Sequence, residues 1–338
     1  MPYCNFIEIN NFKSIQHLHI PAARVNLFIG KPNVGKSNIL EAIGLFSLPY
    51  LQFNKTKKIT DLVRCNDFTD LFPFSDIKKE IRISADWLYL TMGYNSESYN
   101  LQCNISTNNS NGNSSVFHST IEDKTKTSFS QFEVSSLRPD FPKLYRFEGI
   151  KQRRDVKVDY LVPPNGLNAS ALIQRRTDIA QYIGEYLSEY NLDLVLDRDT
   201  NRIKIQRRSK AFIEQLPIAL VADTLQRVMF TFLAIKTNTN STVILEEPEA
   251  HTYPQYITAI AKEIVDTKSN QFFVATHSPY LLTEIIETLP PQEVNVFVTK
   301  YEDYETRIQK LEPKEISEIL SYGEDIFLTL EKYYNYAL

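Results

Sequence analysis

Cysteine is scarce in this chain of 338 residues, and long apolar runs are absent. The three cysteines, Cys4, Cys65 and Cys103, are odd in number and widely spaced. This pattern fits neither a disulfide framework nor a zinc site, so we interpret them as reduced thiols. No apolar run approaches the roughly 20 residues of a membrane-spanning helix, and the first residues lack the basic and apolar segments of a secretory signal. We therefore expect a cytoplasmic protein without a membrane partner.

An excess of basic charge is also lacking. Lysine and arginine together number 37, against 41 for aspartate and glutamate, which gives a formal net charge of −4. Any contact with nucleic acid would therefore need a local basic patch. Internal repeats and heptad runs are not found either, which argues against repeat arrays and a long coiled coil.

The N-terminal part of the sequence predicts strands followed by a glycine-containing loop and a helix. Residues 6–9 and 17–20 alternate in polarity around a turn-like Asn10-Asn11 pair. Residues 25–29 form an apolar run that ends at Gly30, and apolar residues recur at helical spacing after Ser37. The predicted order is therefore strand, glycine loop and helix.

The middle of the chain predicts short strands and a small helical segment. Residues 81–147 alternate in polarity, and the Asn- and Ser-rich tract 104–115 within them favours a solvated loop between strands. Residues 167–190 have helical periodicity. Two further strand-like runs, 192–196 and 203–205, are separated by turn-forming residues and predict a hairpin.

The last third of the chain alternates predicted helices with predicted strands. A helix over about 224–235 precedes a strand at 242–245, and a helix with apolar residues between 256 and 264 precedes a strand at 272–275. This rhythm is typical of a parallel α/β sheet covered by helices.

The segment GKPNVGKS, residues 30–37, matches the P-loop pattern between a buried strand and the start of a helix. The glycines let backbone amides turn toward a phosphate, Lys36 neutralises its oxygens, and Ser37 offers a hydroxyl to Mg²⁺. The alternative is a glycine-containing turn that matches by accident. The candidate nucleotide-binding residues are Gly30, Asn33, Val34, Gly35, Lys36, Ser37 and Asn38.

Two acidic residues, Glu246 and Glu247, follow the predicted strand at 242–245. At the end of a strand the chain leaves the pleat, so both carboxylates can approach a phosphate pocket. One would hold the metal, usually through water, and the next would orient or deprotonate an attacking water. The alternative is a solvated acidic loop after a core strand.

The segment ATHSP, residues 275–279, ends another buried strand with polar residues. Ligands of open α/β sheets bind at the carboxyl ends of the strands. His277 could therefore contact a γ-phosphate directly. The alternative is a hydrogen-bonded structural histidine.

Three segments, GKPNVGKS at 30–37, LEEPEAH at 245–251 and ATHSP at 275–279, resemble the core motifs of ABC-type ATPases of the structural-maintenance (SMC), RecF and OLD (overcoming lysogenisation defect) group. The Glu-Pro-Glu-Ala-His and Thr-His-Ser-Pro forms favour the OLD side. The resemblance covers about residues 1–50 and 216–300. It implies an α/β P-loop NTPase fold: an ABC-type ATPase head with a mixed or parallel sheet covered by helices, an antiparallel β lobe and a small helical insertion. We expect a single head over 1–338, with its core at 1–94 and 216–338 and a β-rich and helical insertion at 95–215.

The resemblance also implies roles for individual residues. Lys36 and Ser37 would bind phosphate and Mg²⁺, and Glu246 would take the Walker B position on the metal side. Glu247 would be the catalytic carboxylate and His277 the switch histidine. Lys13, in the segment FKSI at 12–15, lies where relatives place a basic residue near the nucleotide.

Residues 220–227 take the place of the family's signature motif, which in relatives offers Ser and Gly to the γ-phosphate of the opposite subunit. Ala222 and Thr224 stand at those positions here. The departure predicts slow hydrolysis. The signature-like residues are Ala222, Asp223, Thr224, Gln226 and Arg227.

The resemblance implies an ATPase that uses ATP and Mg²⁺ and assembles into an ATP-linked homo-oligomer. Roughly 60 residues follow His277, too few for the TOPRIM nuclease domain of OLD proteins. Asp197 and Asp199 would be a candidate metal pair, but their place in a predicted turn favours a structural role. We therefore expect a separate effector protein, such as a nuclease or toxin, in bacterial anti-phage defence. A RecF-like DNA-repair ATPase and a nucleotide-gated scaffold with little turnover are the alternatives.

Two basic clusters lie in the middle of the chain, where relatives meet DNA or partner proteins. Either cluster could contact the phosphates of DNA, and a solvated face is the alternative. The first cluster contains Lys143, Arg146, Lys151, Arg153, Arg154 and Lys157, and the second contains Arg202, Lys204, Arg207, Arg208 and Lys210.

Overall fold

The computed structural model describes residues 4–54, 58–109, 112–123, 126–129, 134, 137–152, 156–197, 200, 202–208, 210–322 and 326–333. Within them the strands are β1 (Phe6–Phe12), β2 (Ile15–Pro21), β3 (Val25–Ile29), β4 (Ile81–Ala85), β5 (Leu88–Asn95), β6 (Asn100–Asn109), β7 (Gly112–Asp123), β8 (Lys126–Phe129), β9 (Lys143–Tyr145), β10 (Leu192–Asp197), β11 (Arg202–Arg208), β12 (Ile213–Pro217), β13 (Thr242–Glu246), β14 (Gln271–Ala275), β15 (Val294–Glu302) and β16 (Glu305–Lys310). The helices are α1 (Lys36–Gly44), α2 (Ala169–Arg175), α3 (Thr177–Ser188), α4 (Asp223–Lys236), α5 (Pro254–Asp266), α6 (Pro279–Thr288), α7 (Pro313–Tyr322) and α8 (Ile326–Thr329).

A six-stranded sheet forms the centre of the fold, in the order β16-β15-β3-β14-β13-β9. The pairs from β15 to β9 are parallel, and β16 closes the other edge as an antiparallel partner of β15. Parallel sheets need a cover on both faces, which explains the near-continuous burial of β3, β13 and β14. The predicted helix-covered α/β sheet is confirmed.

The alternation of side chains along these strands separates two hydrophobic cores. Leu27 and Val274 pack on one face of the sheet with apolar residues of α4, α5 and α6. Phe28 and Phe273 pack on the other face with α1 and the strands of the N-terminal sheet. Successive residues of a strand point to opposite faces, so one strand serves both cores.

The second large sheet is antiparallel, in the order β2-β1-β4-β5-β6-β7-β8, and it is the predicted antiparallel lobe. The expected turn at Asn10-Asn11 is wrong: β1 runs on to Phe12, and the turn is formed by Lys13 and Ser14. Phe12 and Ile15 face each other beside this turn and are both fully buried, so the apolar pair extends the hairpin.

The expected loop at 104–115 is also wrong. The Asn and Ser residues of this tract lie in β6 and β7. These two strands pair with each other, and β6 also pairs with β5. Backbone hydrogen bonding between neighbouring strands overrides the weak strand propensity of these residues. Residues 110 and 111 lie outside the described residues.

The segment between the two halves of the proposed core contains α2, α3 and a three-stranded sheet, β10-β11-β12. The predicted hairpin is confirmed as the β10–β11 pair. The boundaries of the insertion at 95 and 215 stay a prediction, and within that range β9 pairs with β13 in the central sheet. Among the described residues, no helix is long and apolar enough to cross a membrane.

Candidate functional site

The loop from Gly30 to Gly35 connects β3 to α1 at the carboxyl edge of the central sheet. Gly35 has a φ of 99°, and a Cβ atom there would lie 2.0 Å from Thr306 Oγ1 of β16. A side chain at Gly35 is therefore excluded both by backbone conformation and by space. Asn33 also has a positive φ, of 63°. Positive φ values of this kind occur in loops whose successive amides converge on an anion.

A chain of hydrogen bonds supports this loop from outside. Asn38 Nδ2 donates to Ser14 Oγ at 2.7 Å, and Ser14 Oγ lies 2.6 Å from Thr306 Oγ1. Thr306 in turn donates to the carbonyl oxygen of Val34 at 3.2 Å. Asn38 therefore acts on the outer side of the loop in this conformation.

Lys36 begins α1, and its side chain folds back over the loop. Its Nζ donates to the carbonyl oxygens of Gly30 at 2.8 Å and Lys31 at 2.9 Å. Burial lowers the pKa of Lys36 to about 8, although Glu247 and Glu249 favour the charged form. Phosphate oxygens beside this ammonium would favour its charged form further.

Ser37, in the first turn of α1, lies beside Glu246, the last residue of β13. The Ser37 side chain hydrogen-bonds to the Glu246 carboxylate. Burial would raise the pKa of Glu246, but Arg146, Ser37 and Arg64 outweigh it and the pKa is lowered. A hydroxyl beside an ionised carboxylate suits a hard cation such as Mg²⁺. These residues therefore fit the implied metal.

Glu246 is also part of a cluster of charges that includes Lys13, in which Arg64 is the exposed member. Arg64 Nη2 lies 2.8 Å from Glu246 Oε1, and Arg146 Nε lies 3.2 Å from Glu246 Oε2. Arg146 Nη2 also lies 2.8 Å from Glu41 Oε1. Lys13 forms an ion pair with Glu41 and donates to the carbonyl oxygen of Arg64 at 2.7 Å. The structure thus places Lys13 against α1, and its role toward the nucleotide stays a prediction.

Glu247 and His277 face each other at the ends of β13 and β14. Glu247 has a φ of 45°, and its N–H donates to the carbonyl oxygen of Ala275 at 2.9 Å. His277 Nε2 lies 3.7 Å from Glu247 Oε1. Burial and the nearby charge of Lys36 lower the pKa of His277, against the effect of Glu247. An imidazole whose pKa is lowered can accept or donate a proton beside this carboxylate.

Glu249 joins the loop after β13 to the loop after β14. Its Oε1 accepts hydrogen bonds from Thr276 Oγ1 and from the backbone N–H of His277, both at 2.7 Å. Burial raises the pKa of Glu249, against these two hydrogen bonds. Glu249 is therefore a positioning residue for the His277 backbone.

The signature-like segment opens α4, as predicted. Ala222 precedes the helix, Asp223 forms an ion pair of 2.6 Å with Arg227, and Arg227 lies over the ring of Phe147. Gln226 is buried, and its Nε2 donates to the carbonyl oxygen of Val221 at 2.8 Å.

Thr224 makes a different contact from the other residues of this segment. Its Oγ1 donates to the carbonyl oxygen of His251 at 2.8 Å, in the loop that follows Glu247. In this conformation the Thr224 hydroxyl therefore donates its hydrogen bond within its own chain.

Comparison with known protein families places this site in context. Residues 3–158 match the family "AAA ATPase domain", and residues 106–283 match "AAA domain, putative AbiEii toxin, Type IV TA system". The second match spans more than half of the chain. The chain belongs to this AAA-domain family. Comparison with curated proteins found no match.

Two of the solved structures that resemble this AAA-domain protein are SMC heads. One is described as the SmcHead bound to the C-winged helix domain of ScpA, with 16% identity and a TM-score of 0.52, over 94% of this chain and 100% of that chain. Another is an Smc head with an extended coiled coil bound to the C-terminal domain of ScpA derived from Pyrococcus furiosus, with 13% identity, a TM-score of 0.55, and coverage of 96% and 100%. The fold is therefore that of an ABC-type ATPase head, and the expected P-loop fold is confirmed.

The two basic clusters differ in their surroundings. In the first, Lys143 is 2% exposed and donates to Ser241 Oγ at 2.9 Å, so neither DNA contact nor a solvated face applies to it. Arg146 also points inward, to the acids of the site. Arg153 and Arg154 lie outside the described residues.

In the second cluster, several basic side chains have acidic partners on the same small sheet. Lys204 lies 2.6 Å from Asp197, and Arg207 lies 2.6 Å from Glu214. Asp197 also accepts a hydrogen bond from the N–H of Thr200, as in a turn. Asp199, its predicted partner in a metal pair, lies outside the described residues. Within the described part of the chain, no group of three or more His, Cys, Asp or Glu could hold a metal.

Sequence reasoning left Glu41, Arg64 and Glu249 without a role, and it placed Arg146 in a basic cluster. One signal was available for Glu41: it is an acid within the apolar run Ile39-Leu40-Glu41-Ala42-Ile43, on the buried side of α1. Buried acids are usually paired, which predicts a basic partner but does not identify it. Arg64 offers no such local signal.

Proposed function

We propose that this AAA-domain protein binds ATP with Mg²⁺, hydrolyses it slowly, and controls a separate effector protein in anti-phage defence through ATP-dependent assembly of its own copies. One observation supports the ATPase part above all. The phosphate-binding loop, the Ser37–Glu246 contact and the Glu247–His277 pair lie together at one edge of the central sheet. This is where ligands of open α/β sheets bind.

The residues of the site would have different roles in ATP hydrolysis. Lys36 and the amides of the loop would bind the phosphates, and Ser37 with Glu246 would hold the metal. A bound Mg²⁺ would neutralise developing charge on the phosphates. Glu247 would orient the attacking water, and His277 would carry or donate a proton to the phosphate oxygens.

Slow turnover is supported by the signature-like segment. Ala222 has no hydroxyl to offer, and the Thr224 hydroxyl donates to His251 of the same chain. A phosphate of a second copy would have to break this 2.8 Å hydrogen bond to gain one of its own. The same observation favours the second candidate, a nucleotide-gated scaffold with little turnover.

Control of a partner is supported by the comparisons. The family description names a putative AbiEii toxin and a type IV TA system, which suits a role in a toxin-containing defence system. The similar SMC heads are bound to domains of ScpA, which supports a protein partner for this chain. The partner of this chain would be an effector such as a nuclease or toxin.

The first test is the solution mass of the Glu247→Gln variant, by light scattering, with and without Mg-ATP. This variant should keep nucleotide binding and trap ATP unhydrolysed, so we expect a mass that doubles or rises further only with ATP. The control is Lys36→Ala, which removes the phosphate-binding ammonium. The solution mass of this variant should be the same with and without Mg-ATP. A mass that ignores ATP would contradict ATP-dependent assembly, and unchanged ATP affinity of Lys36→Ala would contradict the nucleotide site.

Phosphate release then separates the candidate roles. Slow release, together with ATP-dependent co-purification of the product of a neighbouring gene with Glu247→Gln, would support effector control. Tight ATP binding without release would favour the scaffold. Strong stimulation of turnover by DNA would instead favour a RecF-like repair role and would overturn the defence proposal.

A further inference from the structure

Two arginines hold the carboxylate that is expected to face the metal. We propose that Arg64 and Arg146 act as internal cations on Glu246 in the nucleotide-free protein, so that Mg²⁺ must displace them and they set the metal affinity of the site. This inference rests on the proposed function, because it concerns the same nucleotide site. It makes both arginines positioning residues, whose contact is with the carboxylate.

Both oxygens of Glu246 are engaged. Arg64 approaches Oε1 at 2.8 Å, Arg146 approaches Oε2 at 3.2 Å, and the Ser37 side chain adds a hydrogen bond. The Glu246 side chain is only 7% exposed, so water screens these contacts weakly. A carboxylate that is neutralised by guanidinium groups is a weaker ligand for a divalent cation, directly or through water.

The charges of the cluster also indicate that the arginines compete with a metal for Glu246. Lys13, Arg64 and Arg146 carry three positive charges, whereas Glu41 and Glu246 carry two negative charges. A divalent cation at Glu246 would lie close to the guanidinium groups that contact the same carboxylate, and like charges at such distances repel. Metal binding and the present arginine positions are therefore opposed.

Both arginines can take another position, away from Glu246. Arg146 already pairs with Glu41, which is 1% exposed and fixed on α1, so Arg146 can leave Glu246 without becoming an unpaired charge. Arg64 is 64% exposed and can turn to solvent. A cavity of 230 Å³ adjoins them, lined by residues that include Phe147, Arg227 and Glu247, and provides the space for this movement.

Glu41 is the natural internal control, because it competes with Glu246 for the same arginine. Neutralising Glu41 should leave Arg146 with Glu246 as its one acidic partner and should strengthen the competition with metal. Neutralising Arg146 should weaken that competition. The two changes are therefore expected to shift metal affinity in opposite directions, which a loss of packing would not do.

The test is a Mn²⁺ titration of the ADP-bound protein, followed by electron paramagnetic resonance of free Mn²⁺, so that no turnover is needed. Arg64→Gln and Arg146→Gln should each tighten Mn²⁺ binding, by about tenfold for Arg146, because Mn²⁺ would no longer have to break a hydrogen bond between charged groups. Glu41→Gln should weaken it. Arg138→Gln, which removes a pair with Asp140 away from the site, should leave it unchanged.

Unchanged or weaker Mn²⁺ binding in both arginine variants would overturn the inference, as would a tightening by Glu41→Gln. Arg64→Gln keeps the test decisive if Arg146→Gln does not fold, because Arg64 is the exposed member of the pair. ADP affinity, measured with a fluorescent analogue, distinguishes a failure of the proposed nucleotide site from a failure of the arginine competition. Normal ADP binding without a Mn²⁺ shift refutes only this inference, whereas absence of ADP binding by the wild-type protein refutes the proposed function and this inference together.

Discussion

Replacing Thr276 with valine removes the hydroxyl that donates to Glu249 Oε1 and leaves the backbone N–H of His277 as the remaining donor to that oxygen. Valine has nearly the shape of threonine, so the change mainly deletes the hydrogen bond that Thr276 Oγ1 accepts from the Ser278 N–H at 3.0 Å and the hydrogen bond that it donates to a carboxylate. Such bonds contribute about 1.5–3 kcal/mol. We therefore expect Thr276→Val to lower the free energy of unfolding by about 2 kcal/mol.

Glu249→Gln should cost less, about 1–2 kcal/mol, because the amide oxygen can still accept both hydrogen bonds while the charge is lost. The two residues share one contact, so their effects should not add. We expect a coupling free energy of at least about 0.5 kcal/mol in the double variant. Either change should loosen the His277 backbone and lower kcat, by up to about 100-fold if the imidazole moves by about 1 Å.

Urea denaturation of the wild type, both single variants and the double variant gives the coupling, and phosphate release gives kcat. Thr258→Val is a matched control, since that hydroxyl donates to Pro254 within α5 at an exposed position. It should change stability by less than about 0.5 kcal/mol and leave kcat unchanged. Additive effects of Thr276→Val and Glu249→Gln, or an unaltered kcat in both, would refute the positioning role of Glu249.

Two further predictions concern stability. Burial lowers the pKa of Lys143 from 10.5 to about 7, so between these pH values the unfolded state holds a proton that the folded state lacks, and stability should rise by up to about 1.4 kcal/mol per pH unit. Lys143→Met should flatten this rise in urea denaturation at pH 7, 8 and 9, and an equal slope in both proteins would contradict the burial argument. Gly35→Ala should destabilise by about 2–4 kcal/mol, because φ is 99° and the new Cβ would meet Thr306. Gly93→Ala, with open space around its Cβ, should change stability by less than about 0.5 kcal/mol in the same assay, and equal effects of the two would refute the steric reason.

Local sequence signals predicted the parts of the fold whose cause is local. The loop at 30–37 lies between a run of buried residues and a helical repeat, and the structure has β3 and α1 on either side of it. The alternation of helices and strands after residue 223 likewise predicted α4, β13, α5 and β14 in their order. Periodicity is a strong guide there because each element buries one consistent face.

The parts that sequence reasoning missed depend on neighbours distant in the chain. The Asn- and Ser-rich tract is extended because β5 pairs along β6, which no residue of the tract encodes by itself. The cluster around Glu246 joins residues 41, 64 and 146 to residue 246 through tertiary structure alone. Composition could show only that buried acids need partners.

Strand register explains why Arg146 reaches the site. Leu245 of β13 pairs with Tyr145 of β9 in parallel, so the residues that follow, Glu246 at the end of β13 and Arg146 just after β9, lie side by side. On the other side of β13, Glu246 pairs with Ala275 of β14, which brings His277 to the same edge. A short strand from the middle of the chain thus supplies a charge to a site otherwise built from the first and last thirds. Because the period of a strand is two, a shift of β9 by one residue would turn Arg146 to the opposite face and remove it from Glu246. The ion pair therefore depends on the register of β9, and any contact that alters this strand would change the charge beside the metal position.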